Sequence, residues 1–200
     1  EQLFVTSTHN YLVFFTNKGK MYRLKVYEIP EASRQSRGTA IINLLYIHGG
    51  EKITAVIPVK EYKEDWFLLA ATQKGIVKKT DLTQYDSSRK DGLIAINLDE
   101  DDELIGIQLT DGKQDIMLIT AQGKSIRFHE EDVRAMGRTT RGVKGISLGK
   151  GDVVVAMDIA RERAQLLVVT DNGFGKRTPI EEYRSQIRGG KGTITLRTTE

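Results

Sequence analysis

Short apolar runs recur along the chain, and each is followed within a few residues by a glycine. The runs occupy residues 12–15, 67–70, 116–119 and 166–169. Uninterrupted apolar runs of this length fit strands that are buried on both faces, although a buried helix segment gives the same pattern. The turns that follow, such as Asn17-Lys18-Gly19, favour β-hairpins, because glycine supplies the positive φ that tight hairpin turns require.

The hairpins belong to an internal repeat of about 50 residues. Their glycines are separated by 56, 48 and 50 residues, and they are Gly19, Gly75, Gly123 and Gly173. A threonine lies three residues before each glycine, a basic residue four after it, and an apolar or aromatic residue ten after it. This register holds without a gap in all four copies, so the sequence predicts an array of equivalent supersecondary units.

A second pattern marks the later half of each unit. Segments of the form Ile-polar-Leu begin at Ile42, Ile96, Ile146 and Ile194. A glycine lies four residues before each of these isoleucines, at Gly38, Gly92, Gly142 and Gly190. Each segment is predicted to be a strand, and further apolar strands are predicted at 53–59, 104–109 and 153–159.

Four strands in about 50 residues is the size of a propeller blade. The sequence therefore predicts an all-β, propeller-like domain of about four blades, with repeats at approximately 1–59, 60–110, 111–160 and 161–200. Helix is predicted only as a single turn near 130–136. The fourth unit stops before a last apolar strand, which predicts either strand exchange between blades or a chain that is part of a longer one.

Several stretches resemble the C-terminal domain of the bacterial DNA gyrase A subunit. They are TNKGKMYRLKVYEIPEASRQSRGTAIINLL, ATQKGIVKKT, VRAMGRTTRGVKGISL and NGFGKRTPIEEYRSQIRGGKG. The resemblance covers essentially the whole chain. It implies a β-pinwheel, which is a propeller-like ring whose blades exchange strands, with DNA wrapped around a basic outer edge.

The family's glycine-rich basic box reads Gln-Arg-Arg-Gly-Gly-Lys-Gly. Ile187 replaces one basic residue of the box, and the matching residues are Gln186, Arg188, Gly189, Gly190, Lys191 and Gly192. The family's box lies in the first blade, whereas this near-match lies in the last repeat, and the family domain has about six blades. The resemblance therefore implies a fragment of a six-blade domain, with the corresponding domain of topoisomerase IV as the alternative.

Charge is balanced overall, so its placement decides the functional prediction. The chain has 30 basic and 27 acidic residues, and its net charge is +3. The acidic run 99–103 lacks the spacing of a calcium loop and is predicted to be a solvated turn. The three histidines occupy non-equivalent positions of the repeat, so no metal site is predicted. The sequence has no cysteine and no apolar run long enough to span a membrane, which fits a cytoplasmic protein.

The basic residues recur at equivalent places in the units and are predicted to contact DNA phosphates. Those of the hairpins are Lys20, Arg23, Lys78, Lys79, Lys124, Arg127, Lys176 and Arg177. Those of the Arg/Gly loops are Arg34, Arg37, Arg89, Lys90, Arg138, Arg141, Lys144, Arg188 and Lys191. Evenly repeated cations can follow the evenly spaced charges of a duplex backbone without reading its bases.

The sequence thus predicts a non-catalytic DNA-wrapping module with double-stranded DNA as its partner. The resemblance implies further partners, namely the remainder of the gyrase A subunit together with the gyrase B subunit in a heterotetramer. It also implies a bacterial, nucleoid-associated location and places DNA cleavage and the use of ATP and magnesium outside this chain. No cofactor is predicted here. The alternatives are a propeller for protein–protein interaction and an enzyme built on a propeller; the repeated cations argue against the first, and the lack of convergent carboxylates or histidines argues against the second.

Overall fold

The chain folds into short antiparallel strands joined by tight turns. A computed structural model describes residues 3, 5–87, 89 and 91–197. Its strands are β1 Tyr11–Thr16, β2 Lys20–Lys25, β3 Ile53–Val59, β4 Phe67–Thr72, β5 Ile76–Asp81, β6 Leu93–Ile94, β7 Leu104–Thr110, β8 Asp115–Thr120, β9 Lys124–His129, β10 Val143–Lys144, β11 Val154–Ile159, β12 Gln165–Val169, β13 Gly175–Pro179 and β14 Thr193–Ile194. The helical elements are 3-10 turns at Val26–Glu28, Ile41–Asn43, Leu82–Tyr85, Glu130–Asp132 and Ile180–Glu182. Within the described residues, no helix has the length and apolar character needed to cross a membrane.

The repeated threonine and glycine build each hairpin turn. In the first hairpin the N–H of Gly19 donates to the carbonyl of Thr16 at 2.9 Å, and the N–H of Lys20 donates to Oγ1 of Thr16 at 3.3 Å. Gly19 has a φ of +74°, and a Cβ there would lie 2.6 Å from the carbonyl oxygen of Ile96. Glycine is therefore required both by the turn and by the close approach of the next repeat.

Three sheets have four strands each, and every one combines strands from two repeats. Their orders are β3-β1-β2-β6, β7-β4-β5-β10 and β11-β8-β9-β14, and the fourth hairpin is the pair β12-β13. Strands β6, β10 and β14 come from the repeat after the hairpin that they join, and we call them exchange strands. The predicted all-β, propeller-like class is confirmed, and of the two explanations for the permuted repeat, strand exchange is present in the structure.

The core lies between successive sheets, which explains the uninterrupted apolar runs. Leu68 and Ala70 of β4 pack in one buried cluster with residues of the first sheet, such as Phe15. Leu69 and Ala71 of the same strand pack in a second cluster with residues of the third sheet. Successive side chains of a strand point to opposite faces, so a strand between two neighbours needs apolar residues at every position.

The Ile-polar-Leu segments were predicted to be strands, and that prediction is wrong for the first three copies, while in the fourth only Ile194 lies in a strand. The exchange strands end two residues before Ile96 and Ile146, and the first copy forms the 3-10 turn Ile41–Asn43. The N–H groups of Ala95 and Ile96 instead donate to the carbonyl of Gly19, at 2.8 and 3.2 Å. One hairpin carbonyl thus accepts two donors, and this ends the ladder after a two-residue strand.

The sequence alignment of the fourth repeat is also wrong, by two residues. Gly192, rather than Gly190, is equivalent to Gly142: both have positive φ, and a Cβ at either would lie within 2.6 Å of a carbonyl oxygen of the preceding hairpin. Leu196 donates its N–H to the carbonyl of that hairpin's glycine, as the isoleucines do in repeats 2 and 3. Ile194 lies in the exchange strand and is 62% exposed. With this correction, equivalent loop positions of repeats 2, 3 and 4 are evenly spaced along the chain.

The acidic run 99–103 is not the fully solvated turn that was predicted. Asp102 is buried, and its Oδ1 accepts the N–H groups of Lys74 and Glu103, each at 2.9 Å. Asp152, at the equivalent place in the next repeat, makes the same pair of bonds to Gln122 and Val153. A carboxylate that accepts two main-chain N–H groups fixes the neighbouring hairpin turn, so this run has a structural role at one aspartate.

Candidate nucleic-acid interface

Three equivalent loops lead into the exchange strands, and we call them the basic loops. They span residues 86–92, 136–142 and 186–192, and each ends at a glycine of positive φ. Of the residues predicted to contact DNA, Lys90 lies outside the described residues. Because β6, β10 and β14 are the terminal strands of their sheets, the basic loops lie at the corresponding edge of each sheet.

Each basic loop packs against the preceding repeat. The loop 136–142 begins with a hydrogen bond from the N–H of Met136 to the carbonyl of Lys79, at 2.9 Å, and loop 186–192 begins with the equivalent bond at 2.7 Å. The guanidinium of Arg138 donates to the carbonyl of Ile94, and that of Arg188 donates to the carbonyl of Lys144 at 3.0 Å. Consecutive loops are therefore joined through the exchange strands, and the structure brings the loops of repeats 2, 3 and 4 together.

The box-like loop lies beside a cation of the previous repeat. Gly189 has a φ of +81°, and its N–H donates to the carbonyl of Gly145 at 2.6 Å. The side chain of Lys144 runs past this glycine, with its Cγ 3.9 Å from the place of a Cβ. Arg188 is half-buried, whereas Lys144 and Lys191 are exposed. Two exposed lysines from different repeats thus flank one glycine-rich stretch.

The basic residue four positions after each hairpin glycine has a structural contact in three repeats. Arg23 pairs with Asp86 at 2.7 Å and lies over the ring of Tyr11. Lys79 donates to the carbonyl of Glu130 at 2.8 Å. Arg127 pairs with Asp115 at 2.6 Å. Arg127 also donates to the carbonyls of Ile180 and Tyr183, at 3.1 and 3.2 Å. In all three repeats this cation binds the turn of the following repeat, or the residue just after it. The fourth copy, Arg177, is exposed.

Lys78 is buried in the protein. It is 1% exposed, and its Nζ donates to the carbonyl of Ala95 at 2.8 Å and to the carbonyls of Arg138 and Thr140. Burial, followed by the nearby charge of Arg138, lowers the pKa of Lys78 to about 7. Tyr85 donates to the same Ala95 carbonyl at 3.2 Å. Lys78 thus stabilises the basic loop of repeat 3 by donating hydrogen bonds to two of its carbonyls.

The remaining hairpin cations differ in accessibility. Lys20 is half-buried and lies 3.3 Å from Glu51, a carboxylate that also accepts the hydroxyl of Tyr22 at 3.1 Å. Burial, and after it the charge of Glu51, raises the pKa of Tyr22 to about 12. Lys124 is half-buried, and Lys176 is exposed on the fourth hairpin.

The remaining loop cations are mostly exposed. Arg34, Arg37 and Arg89 are exposed, and Arg141 pairs on the surface with Asp99 at 2.9 Å. The loop of repeat 1 differs from the others, because no hairpin within the described residues receives it. A Cβ at Gly38 would meet nothing within 4 Å. Contact of these residues with DNA stays a prediction.

One further pair of cations lies beside the basic loops but was not among the residues predicted from sequence. Arg134 and Arg184 are both exposed and precede the basic loops of repeats 3 and 4 at equivalent positions. The same equivalence that relates Arg138 to Arg188 would have found them. Within the described part of the chain, no group of three or more histidines or carboxylates is placed to hold a metal ion.

The fold and the loops define a class: a strand-exchanged, propeller-like domain with equivalent basic loops along its sheet edges. The chain belongs to the family described as DNA gyrase C-terminal domain, beta-propeller, whose model matches residues 10–60, 67–111, 114–161 and 164–200. This membership confirms the resemblance found in the sequence.

Individual proteins agree with this assignment. The DNA gyrase A subunit of Staphylococcus epidermidis is 50% identical over 202 residues, which cover 100% of this chain and 23% of that protein. The solved C-terminal domain of DNA topoisomerase IV has a TM-score of 0.90 at 32% identity and covers 96% of this chain and 60% of its own. The solved DNA gyrase A C-terminal domain has a TM-score of 0.77 at 29% identity and covers 94% of this chain and 60% of its own. The chain thus spans about a quarter of the curated relative's length.

Proposed function

We propose that this chain binds double-stranded DNA along its basic loops and bends the duplex around the edges of its sheets. The observation that supports the proposal is the packing of loops 136–142 and 186–192 on the exchange strand of the preceding repeat. This packing sets the loops of repeats 2, 3 and 4 in one continuous series. Cations at equivalent positions of repeats 3 and 4, Arg138 with Arg188 and Arg141 with Lys191, suit the repeated charges of a phosphate backbone, and Arg89 adds a cation in the loop of repeat 2.

The structure narrows the set of residues that we propose to touch phosphates. Arg23, Lys78, Lys79 and Arg127 are committed to contacts within the protein, and Lys20 is half-buried and paired with the buried carboxylate of Glu51. The proposed contacts of the described residues are Arg34, Arg37, Arg89, Lys124, Arg134, Arg141, Lys144, Lys176, Arg177, Arg184 and Lys191, with Arg138 and Arg188 supporting the loops. These contacts go to the backbone, so we expect weak base preference.

Bending sets a lower limit on how many contacts are needed. Smoothly bending a site of 20–30 base pairs by 40–90° costs roughly 1–6 kcal/mol. Each neutralised phosphate releases a counterion and makes the logarithm of affinity fall by about 0.9 per tenfold rise in salt. Several simultaneous phosphate contacts are required to offset the bending, so binding is expected to be strongly salt-dependent.

The wider role proposed for the domain follows from its family. A wrapped segment presented to the rest of gyrase would bias strand passage toward negative supercoiling. ATP hydrolysis, magnesium binding and DNA cleavage would then belong to the remainder of the gyrase A subunit and to the gyrase B subunit, in the bacterial cytoplasm. The alternative is the equivalent role in topoisomerase IV, whose solved domain is more similar to this chain (32% identity, TM-score 0.90) than the solved gyrase domain is (29%, 0.77). The 50% identity to a gyrase A subunit supports the gyrase role.

The binding proposal is tested by mobility shift with a long duplex over a range of salt concentrations. Substituting Lys144→Ala and Lys191→Ala together should weaken binding and reduce the log–log salt slope by about two, because two phosphate contacts are lost. The matched control substitutes Lys63→Ala and Lys113→Ala, two exposed lysines outside the loops. Equal effects of the two double variants, or no binding at low salt, would refute the proposal.

Bending is tested separately from binding. A relaxed circular plasmid is saturated with the chain, nicked and resealed, and then stripped of protein. Chiral wrapping leaves a change in linking number that grows with the amount of bound chain. A plasmid that binds the chain but keeps its linking number would limit the function to phosphate binding without chiral wrapping.

A further inference from the structure

The polar residue of the Ile-polar-Leu pattern has the same place in repeats 2 and 3. It is Asn97 in repeat 2 and Ser147 in repeat 3. Each follows a buried isoleucine, and Ile146 donates its N–H to the carbonyl of Gly75 at 3.3 Å, as Ile96 does to the preceding hairpin. The polar residue is thus held at a fixed distance from the preceding hairpin.

Both polar residues bind the basic loop of the following repeat. The side-chain amide of Asn97 donates to the carbonyl of Thr139, and the main-chain N–H of Asn97 donates to the carbonyl of Thr140 at 3.2 Å. The same two loop positions accept the equivalent bonds in the next repeat. Ser147 Oγ donates to the carbonyl of Gly189 at 2.7 Å, and the N–H of Ser147 donates to the carbonyl of Gly190 at 2.8 Å.

These bonds set which way each loop faces. Two successive carbonyls of the loop point inward to Asn97 or Ser147. The next residue in each loop is the exposed cation, Arg141 or Lys191. A peptide whose carbonyl is held on one side has its N–H on the other, because the peptide group is planar and trans. The N–H of the cation itself, Arg141 or Lys191, therefore lies on the outward side together with its charged side chain, an arrangement that attracts an anion. The N–H of Thr140 is used within the loop, where it donates to the carbonyl of Gly137 at 3.1 Å.

We propose that Asn97 and Ser147 are positioning residues, which fix the following repeat's basic loop in the orientation that meets phosphates. The proposal rests on the proposed DNA-binding function. Each residue uses its side-chain donor to bind the loop, so the proposed role is to position the loop. Ser147 acts on the box-like loop 186–192, and Asn97 acts on loop 136–142.

The first test is Ser147→Ala, with Ser147→Asn as the rescue because asparagine has this role in repeat 2. Hydrogen exchange of the amide of Gly189, which donates to Gly145 at 2.6 Å, reports the loop directly. Loss of one net hydrogen bond should speed this exchange roughly fivefold. Ser185→Ala, which removes an exposed hydroxyl just before the loop, is the matched control and should leave the exchange unchanged.

The second readout is DNA affinity as a function of salt, measured on folded protein. Ser147→Ala should weaken binding by roughly fivefold and lower the log–log salt slope by about one, while Ser147→Asn restores both. A substitution that only destabilised the fold would leave the slope of the folded fraction unchanged. If the wild-type chain binds DNA but Ser147→Ala changes neither the hydrogen exchange of Gly189 nor the salt slope, the positioning role is overturned and the proposed DNA binding is not. A wild-type chain that binds no duplex overturns the proposed function and the inference with it.

Discussion

The burial of Lys78 predicts an unusual dependence of stability on pH. Lys78 is 1% exposed, and its described hydrogen-bond partners are three main-chain carbonyls. Burial, with Arg138 as the second cause, lowers its pKa from 10.5 to about 7. The folded chain therefore releases this proton at a pH at which the unfolded chain still holds it.

The sign follows from the number of protons bound in each state. Between pH 7 and 10.5 the unfolded chain binds more protons at Lys78 than the folded chain, so the free energy of unfolding rises with pH. The limiting slope is about 1.36 kcal/mol per pH unit. From pH 7 to pH 9 the contribution integrates to about 2 kcal/mol. Well below pH 7 both states hold the proton, and the slope from this residue vanishes.

The assay is urea unfolding of the wild-type chain and a Lys78→Met variant at several pH values from 6 to 9. We expect the wild type to gain about 2 kcal/mol over pH 7–9 relative to the variant. Burial raises the pKa values of Tyr22 and Tyr85 to about 12, so both titrate outside this window. Lys124→Met, which removes a lysine from a strand of the next sheet, controls for net charge. Parallel pH profiles of wild type and Lys78→Met would refute the reasoning.

Two further substitutions test the contacts between repeats by thermal or urea unfolding. Arg127→Ala should lower the free energy of unfolding by about 2–3 kcal/mol, because it leaves a part-buried carboxylate and two carbonyls without their donor. Arg177→Ala, at the exposed equivalent position, should change it by less than about 0.5 kcal/mol. Equal losses of stability in the two variants would contradict the structural role of Arg127. Gly192→Ala should lower the free energy of unfolding by about 2–4 kcal/mol, because Gly192 has a φ of +68° and a Cβ there would lie 2.5 Å from a carbonyl oxygen. Gly149→Ala is the control and should be nearly neutral, since the nearest atom to its Cβ would be 3.7 Å away. A neutral effect of Gly192→Ala would contradict the close approach.

The hairpins could be predicted because each depends on a few residues close together in sequence. Thr16 and Gly19 form the turn by themselves, so their spacing alone identifies it. The apolar runs were equally informative, because a strand that packs between two sheets needs apolar side chains on both faces. Both signals are local, and both recur in every repeat.

The exchange strands could not be placed from sequence, because contacts with a distant hairpin determine them. Each has two residues, which is too short for any alternation to be visible. In the fourth repeat the pattern itself misled, because Ile194 precedes Leu196 by two residues and imitates the Ile-polar-Leu segment. The true equivalent of the buried isoleucines is Leu196, as its bond to Gly123 and the close approach of Gly192 to the same hairpin reveal.

The candidate site was only partly predictable for a similar reason. Repetition of Arg23, Lys79 and Arg127 indicates a shared role but does not say whether the partner is DNA or the protein. Each of these cations has a partner in the next repeat, far away along the chain, so sequence spacing carries no trace of the contact. A lysine such as Lys78 on a strand looks solvent-exposed until the loop that covers it is seen.

The exchanged strands also bear on how such a chain can change its number of units. Each internal repeat brings one hairpin that needs an outer strand and one outer strand that needs a hairpin. A duplication or deletion of one whole repeat length adds or removes one hairpin and one exchange strand together. Every remaining hairpin therefore still has an exchange strand to pair with, wherever in the repeat the change begins. Growth and shrinkage by whole units is thus topologically simple, whereas an insertion of half a unit exposes an unpaired edge.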